Sequence, residues 1–89
     1  MEITLLTREC CDFCQLAKQI LQRLSTEFPF SISVVDLDSP AGQDLAERGG
    51  ILFPPGIFLD GEPFSCGRPS GKRLRQELGR RLGAPQVGQ

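Results

Sequence analysis

Cys11 and Cys14 bracket Asp12 and Phe13, which sets two thiols one helical turn apart where a short apolar run, Ile3 to Leu6, gives way to a periodic stretch. A helix that starts at this point leaves its first N–H groups unpaired, and its dipole favours an anion there. The chemistry this predicts is thiol–disulfide exchange. A Cys11 thiolate is the nucleophile that attacks a disulfide, and Cys14, turned inward, resolves the mixed disulfide. Arg8 favours the thiolate and the Asp12 carboxylate opposes it, so the Cys11 pKa is expected below the free value, though less so than with a neutral residue at position 12. Two further thiols, Cys10 and Cys66, are candidate auxiliary groups. Cys10 immediately precedes the nucleophile, and Cys66 could form a disulfide with Cys11, accept a small thiol or ligate a metal. The chain has no histidine, which excludes a Cys/His hydrolase, a histidine general base and a mixed Cys/His zinc site. An all-thiolate zinc or iron–sulfur module built from Cys10, Cys11 and Cys14, with or without Cys66, within one chain or between two, is the competing reading. Adjacent Cys10 and Cys11 seldom turn to one ion, so no metal is assigned.

The elements that must hold this pair can be read from the same 89 residues, 39% of them apolar, enough for one small core. Glu2 to Leu6 reads as a strand and Thr7 to Cys10 as a loop. Phe13, Leu16, Ala17, Ile20, Leu21 and Leu24 recur at helical spacing, and Phe28 before Pro29 is expected to close that helix. Ser31 to Leu37 alternates and is rich in β-branched residues, as a strand would be. Ser39 and Pro40 then begin a short helix over Ala41 to Arg48 that Gly49 and Gly50 end. Ile57 to Leu59, Asp60-Gly61 and Glu62 to Ser65 read as a hairpin with a two-residue turn. Ser70 caps a last helix with Leu74, Leu78 and Leu82 along one face. From Gly83 the apolar pattern stops.

The order β-α-β-α-β-β-α implies an α/β fold. Its first two strands are parallel, the hairpin is antiparallel, and helices flank one four-stranded mixed sheet. The net charge of −1 hides an asymmetry, with six of the ten basic residues from Arg68 onward against the single acid Glu77. Such a basic end could attract nucleic acid or an acidic partner; the favoured reading is a solvated helix face whose cations complement the C-terminal dipole, with no stacking platform for nucleic acid. Neither a signal peptide nor a membrane span is visible, so a cytoplasmic protein is expected, in which four cysteines serve chemistry rather than cross-linking.

Three motifs, over about residues 2 to 82, make the sequence resemble the glutaredoxins and, more loosely, the thioredoxin-like superfamily. Thr7 to Cys14, followed by Ala17 and Lys18, is similar to the glutaredoxin active-site segment, with Arg8 as the basic residue three places before the nucleophile. Pro55 to Gly61 is similar to the segment that runs from a cis-proline through the third strand into the hairpin. Cys66-Gly67-Arg68-Pro69-Ser70 resembles the loop and helix cap that hold a glutathione carboxylate. The resemblance implies a thioredoxin-like, glutaredoxin-type fold over residues 1–83, with 84–89 a flexible C-terminal tail. It also implies Arg8, Pro54, Pro55, Gly67, Arg68 and Ser70 as substrate-binding residues. The expected activity is reduction of protein or low-molecular-weight mixed disulfides, with a thiol or reductase as electron donor. The protein is expected to act as a monomer, without a bound cofactor and without nucleic-acid or membrane partners.

Two departures bear on glutathione as co-substrate. In relatives the residue before the cis-proline pairs through its N–H and C=O with the thiol cofactor. Pro54 has no N–H, which forfeits a net hydrogen bond of about 0.5–1.5 kcal/mol. Cys66 also replaces a glycine of the carboxylate loop. Weaker or altered recognition of glutathione is therefore expected, and retention of the fold as a scaffold with little turnover stays open.

Overall fold

A computed structural model describes residues 1–83; the expected tail, 84–89, lies outside the described residues. The elements run β1 Glu2–Thr7, α1 Asp12–Leu24, β2 Ser31–Asp36, α2 Pro40–Gly49, β3 Gly56–Leu59, β4 Glu62–Cys66 and α3 Gly71–Leu82. They build one mixed sheet in the order β2-β1-β3-β4. β1 and β2 are parallel, from Glu2 opposite Ser31 to Thr7 opposite Asp36, whereas β3 is antiparallel to both β1 and β4. This is the expected β-α-β-α-β-β-α architecture.

Alternation along β1 and β3 sends Ile3, Leu5, Ile57 and Leu59 to one face, where Ala17, Leu21 and Leu24 of α1 and Leu74 and Leu78 of α3 complete the core. Leu6 and Phe58 face the other way and are also buried. There α2 approaches so closely that a Cβ on Gly49 would lie 2.9 Å from the Phe58 ring. The hairpin turn has positive φ at both Asp60 (51°) and Gly61 (85°), the backbone that matches strand twist in a two-residue turn. Asp60 is tied to the start of β1, its N–H donating to the Glu2 carbonyl at 2.8 Å and its Oδ1 accepting from the Glu2 N–H at 2.8 Å.

Two details differ from the sequence expectation. α1 ends at Leu24 rather than near Phe28, because the hydroxyls of Ser25 and Thr26 donate to the carbonyls of Gln22 (2.6 Å) and Arg23 (2.7 Å) and divert its last turn. Phe28 then turns into the core, 2% exposed. The buried stripe of α1 is also rotated from the expected one. Cys14, Ala17, Leu21 and Leu24 are buried, while Phe13 and Leu16 are exposed. On β2, Ile32 and Val34 likewise remain exposed, because β2 is an edge strand and the core built with α1 and α3 lies over β1 and β3.

Candidate active site

β1 delivers the chain to the site and α1 receives it. Cys10 adopts a left-handed conformation, φ 56°, which turns the backbone so that Cys11, with extended φ −117° and ψ 106°, becomes the N-cap of α1. Its Sγ accepts a hydrogen bond from the Cys14 N–H at 3.2 Å. Sulfur here does what a serine oxygen does at an ordinary cap. Cys11 and Cys14 are paired as a disulfide with their Cα atoms 5.2 Å apart. Cys14 is 1% exposed, whereas Cys11 is only partly covered. One sulfur is thus reachable and the other is sealed in the core behind it. The same N–H and helix dipole that meet a half-buried sulfur would favour its thiolate after reduction.

The opposite wall comes from the segment before β3. The Pro54–Pro55 peptide bond is cis, at the position the motif resemblance implied. Leu6 pairs with Gly56 and Gly56 with Cys66. The loop after β1, the loop before β3 and the end of β4 therefore leave the sheet at one end. Gly67, φ 78°, closes this corner by donating its N–H to the Pro55 carbonyl at 3.0 Å and to the Phe53 carbonyl at 3.3 Å. Ser70 caps α3, its Oγ accepting from the Arg73 N–H at 3.2 Å, and Arg68 is exposed between Gly67 and the cap.

The remaining candidates divide. Arg8 is engaged by Asp38, Nη2 to Oδ1 3.2 Å, at the exposed surface. Its guanidinium is therefore shared with a carboxylate on the β2–α2 loop, a partner the sequence analysis did not single out because it lies thirty residues away. Cys10 is a free, exposed thiol. It opens on a shallow cleft of about 550 Å³ with Thr7, Arg8, Gln15, Lys18 and Asp36. Cys66 is also free and exposed, at the end of β4 opposite Gly56. Among the described residues no three Cys, Asp or Glu side chains converge in a way that could hold a metal ion, so the four thiols form no common ligand set. Leu52 and Phe53, an apolar pair directly before the two prolines, stand exposed.

A partly exposed cap sulfur, a buried partner one turn on and a cis-proline at the same end of a β-α-β-α-β-β-α sheet define a thioredoxin-like protein. The model of the Glutaredoxin-like domain (DUF836) family matches residues 2–79, and the chain belongs to that family. It is 26% identical over 82 residues to a thioredoxin of Methanocaldococcus jannaschii, covering 92% of this chain and 96% of that one. An uncharacterized protein of Mycobacterium tuberculosis is 32% identical over 83 residues, covering 89% and 84%. Two solved structures share the fold. A thioredoxin-like protein from Clostridium perfringens superposes with TM-score 0.71 at 22% identity, over 99% of this chain and 76% of that one. Mitochondrial thioredoxin 3 of Saccharomyces cerevisiae, in its oxidized form, gives 0.69 at 17% identity, over 89% and 76%. The fold and the Cys11–Cys14 pair are compatible with a redox function. No helix among the described residues is long and apolar enough to cross a membrane.

Proposed function

We propose that this protein is a thiol–disulfide oxidoreductase that reduces protein or low-molecular-weight mixed disulfides through Cys11 and Cys14. The observation that carries the reading is the asymmetry of the pair, a reachable Cys11 sulfur at the helix cap and a buried Cys14 sulfur bonded to it. In the dithiol state the Cys11 thiolate attacks one sulfur of the substrate disulfide. A Cys11–substrate disulfide forms and the other substrate sulfur leaves as a thiolate. Cys14 then loses its proton and attacks Cys11, which frees the second substrate thiolate and closes the Cys11–Cys14 disulfide. Two electrons pass to the substrate, and an external thiol or reductase returns them. The route needs neither metal nor organic cofactor, and we assign it to a cytoplasmic monomer.

Pro55 and Gly67 shape the wall against which the substrate chain would lie, with Arg68 and Ser70 beyond it. Pro54 offers no N–H to that chain, so glutathione is expected to be a weaker co-substrate than for a typical glutaredoxin. Glutathione-dependent turnover of a small mixed disulfide tests this point, and activity equal to a standard glutaredoxin would refute it.

A redox titration of the wild type, Cys11→Ser and Cys14→Ser, read by thiol alkylation, tests the activity itself. A reversible two-electron couple lost in both variants is the expected outcome. No couple in the wild type would sink the proposal and leave a scaffold with little turnover.

A further inference from the structure

The sheet order β2-β1-β3-β4 puts the cis-proline on the β3 side of β1. The cleft of about 550 Å³ onto which Cys10 opens lies on the other side, closed by Gln15 and Lys18 of α1 and by Val34 and Asp36 of β2. Its wall includes Thr7, which is only 8% exposed. The Thr7 hydroxyl makes no hydrogen bond among the described residues. No enclosed side-chain oxygen or nitrogen among them lacks a partner, so the Thr7 oxygen must reach the cleft. A hydroxyl nine-tenths buried and unpartnered, beside a free thiol, asks for a polar occupant.

The charges around the cleft define the chemistry of that occupant. Arg8 and Lys18 stand there against Glu9 and Asp36. Arg8 is held by Asp38, whereas Lys18 has no carboxylate partner among the described residues. Asp36 accepts the Asp38 N–H through Oδ1 at 2.9 Å, and its Oδ2 accepts from nothing among the described residues. An unpaired ammonium and an unpaired carboxylate oxygen thus line one cleft. A ligand with a single charge would meet repulsion as well as attraction there. One that carries both a carboxylate and an ammonium, as an α-amino acid does, can turn each toward its opposite.

We propose that Cys10 is a second thiol-exchange site, which takes a small α-amino-acid thiol as a mixed disulfide. The Cys10 thiolate, its proton given to solvent, attacks one sulfur of the ligand's symmetrical disulfide. A bond forms between Cys10 Sγ and that sulfur, the ligand's own S–S bond breaks, and its other half leaves as a thiolate. Cys10 is oxidised, the departing half is reduced, and no further reactant is consumed. The carboxylate of the retained half lies toward Lys18 and its ammonium toward Asp36, with the Thr7 hydroxyl as a neutral polar contact. The step uses neither Cys11 nor Cys14, so it goes beyond the exchange reading of that pair and does not depend on it.

The test uses the full chain with its Cys11–Cys14 disulfide intact, which leaves Cys10 and Cys66 as the free thiols. Limiting amounts of three disulfides are compared, each with the same spacing from sulfur to charged group. Cystine carries both charges, cystamine the ammonium alone, and dithiodipropionate the carboxylate alone. Peptide mass mapping gives the adduct at Cys10 relative to that at Cys66, a ratio in which each reagent's own reactivity cancels. Cystine should give a ratio about threefold above either of the others at low salt, the worth of one exposed ion pair. Lys18→Gln should remove its advantage over cystamine, and Asp36→Asn its advantage over dithiodipropionate. Thr7→Val should lower the cystine ratio about twofold and leave the same ratio for neutral iodoacetamide unchanged. Modification of Cys66 alone, equal ratios for the three disulfides, or a cystine preference that survives Lys18→Gln would overturn the proposal. A redox titration that finds no couple at Cys11 and Cys14 would refute the exchange reading and leave the Cys10 result standing.

Discussion

Gly42→Ala should destabilise this protein far more than its place in a helix suggests. A Cβ built on Gly42 falls 1.9 Å from the Asp36 carbonyl oxygen, 2.7 Å from the Asp36 carbonyl carbon and 2.8 Å from the Leu37 Cα. These are backbone atoms, so no rotamer change relieves the contact; the gap must open from 1.9 Å to at least 3.0 Å. Both sides of the gap are tied. The Gly42 N–H donates to Ser39 Oγ at 3.0 Å, Ser39 Oγ donates to the Asp36 carbonyl at 2.6 Å, and the Leu37 N–H donates to the Thr7 carbonyl at 2.7 Å. Moving α2 outward sacrifices the cap, about 1 kcal/mol, and moving β2 instead strains the Leu37–Thr7 bond, about 0.5–1.5 kcal/mol. Overpacking adds about 1–3 kcal/mol, against which alanine's helix propensity returns up to about 1 kcal/mol. The net loss is about 1–3 kcal/mol, or a Tm lowered by about 4–24 °C for a domain of this size. The assay is urea unfolding followed by circular dichroism on the oxidised protein, with Gly79→Ala as control. Nothing lies within 4 Å of a Cβ at Gly79 inside α3, so that variant should gain about 0.4–1 kcal/mol. A Gly42→Ala variant that loses less than about 1 kcal/mol, or matches Gly79→Ala, would refute the steric argument.

Leu21→Ala, which empties a fully buried position between α1 and the sheet, should cost about 2–5 kcal/mol, seen as a lower urea midpoint with an unchanged slope. Glu77 is held at about 2, against an ordinary 4.5, chiefly by its hydrogen bonds from Arg80 and then Arg81. A lowered carboxylate pKa stabilises the fold above about 4.5, and the contribution is lost as pH falls toward 2. A Tm series from pH 7 to pH 2 should show a smaller acid decline for Glu77→Gln than for the wild type, and parallel curves would contradict the sign. Asp12→Asn removes the carboxylate next to the nucleophile and should speed iodoacetamide alkylation of reduced Cys11 about two- to fivefold at pH 6; an unchanged rate would mean that Asp12 does not act on the thiolate.

What could be read from sequence is what is decided locally. At Cys11 only the helix start is legible, and the sulfur's role as cap is seen in the fold. The caps at Ser39 and Ser70 each accept from an N–H three residues on, so residue type and a short spacing suffice to find them. The same holds for the Asp60-Gly61 turn, where positive φ at both residues is a property of the dipeptide and its strands. The end of α1 depended on a contest between Ser25 and Thr26 hydroxyls and the buried position of Phe28, which apolar spacing does not weigh. Gly42 carries no local signal, because the atom that excludes a side chain there, the Asp36 carbonyl, is brought to it by the packing of α2 on β2.

The same distinction governs the site. The spacing of the Cys11–Cys14 pair is local, since helix start and cap follow from a single turn of chain; burial of the second thiol comes from the packing of α1. Its electrostatic setting is tertiary. Arg8 stands three residues before Cys11, and on spacing alone its charge belongs to the nucleophile; in the fold Asp38 reaches it at 3.2 Å from the neighbouring loop. The Leu37–Thr7 hydrogen bond fixes those two loops side by side, so the pairing comes from β1–β2 register rather than from any motif. An exposed pair of this kind is weak and screened by salt. Arg8 is therefore held by Asp38, whereas the Cys14 N–H meets the Cys11 sulfur directly at 3.2 Å. On the disulfide-exchange reading, the cap N–H is the group in direct contact with the Cys11 sulfur, whereas Arg8 and Asp12 would act on it through exposed charges that salt screens.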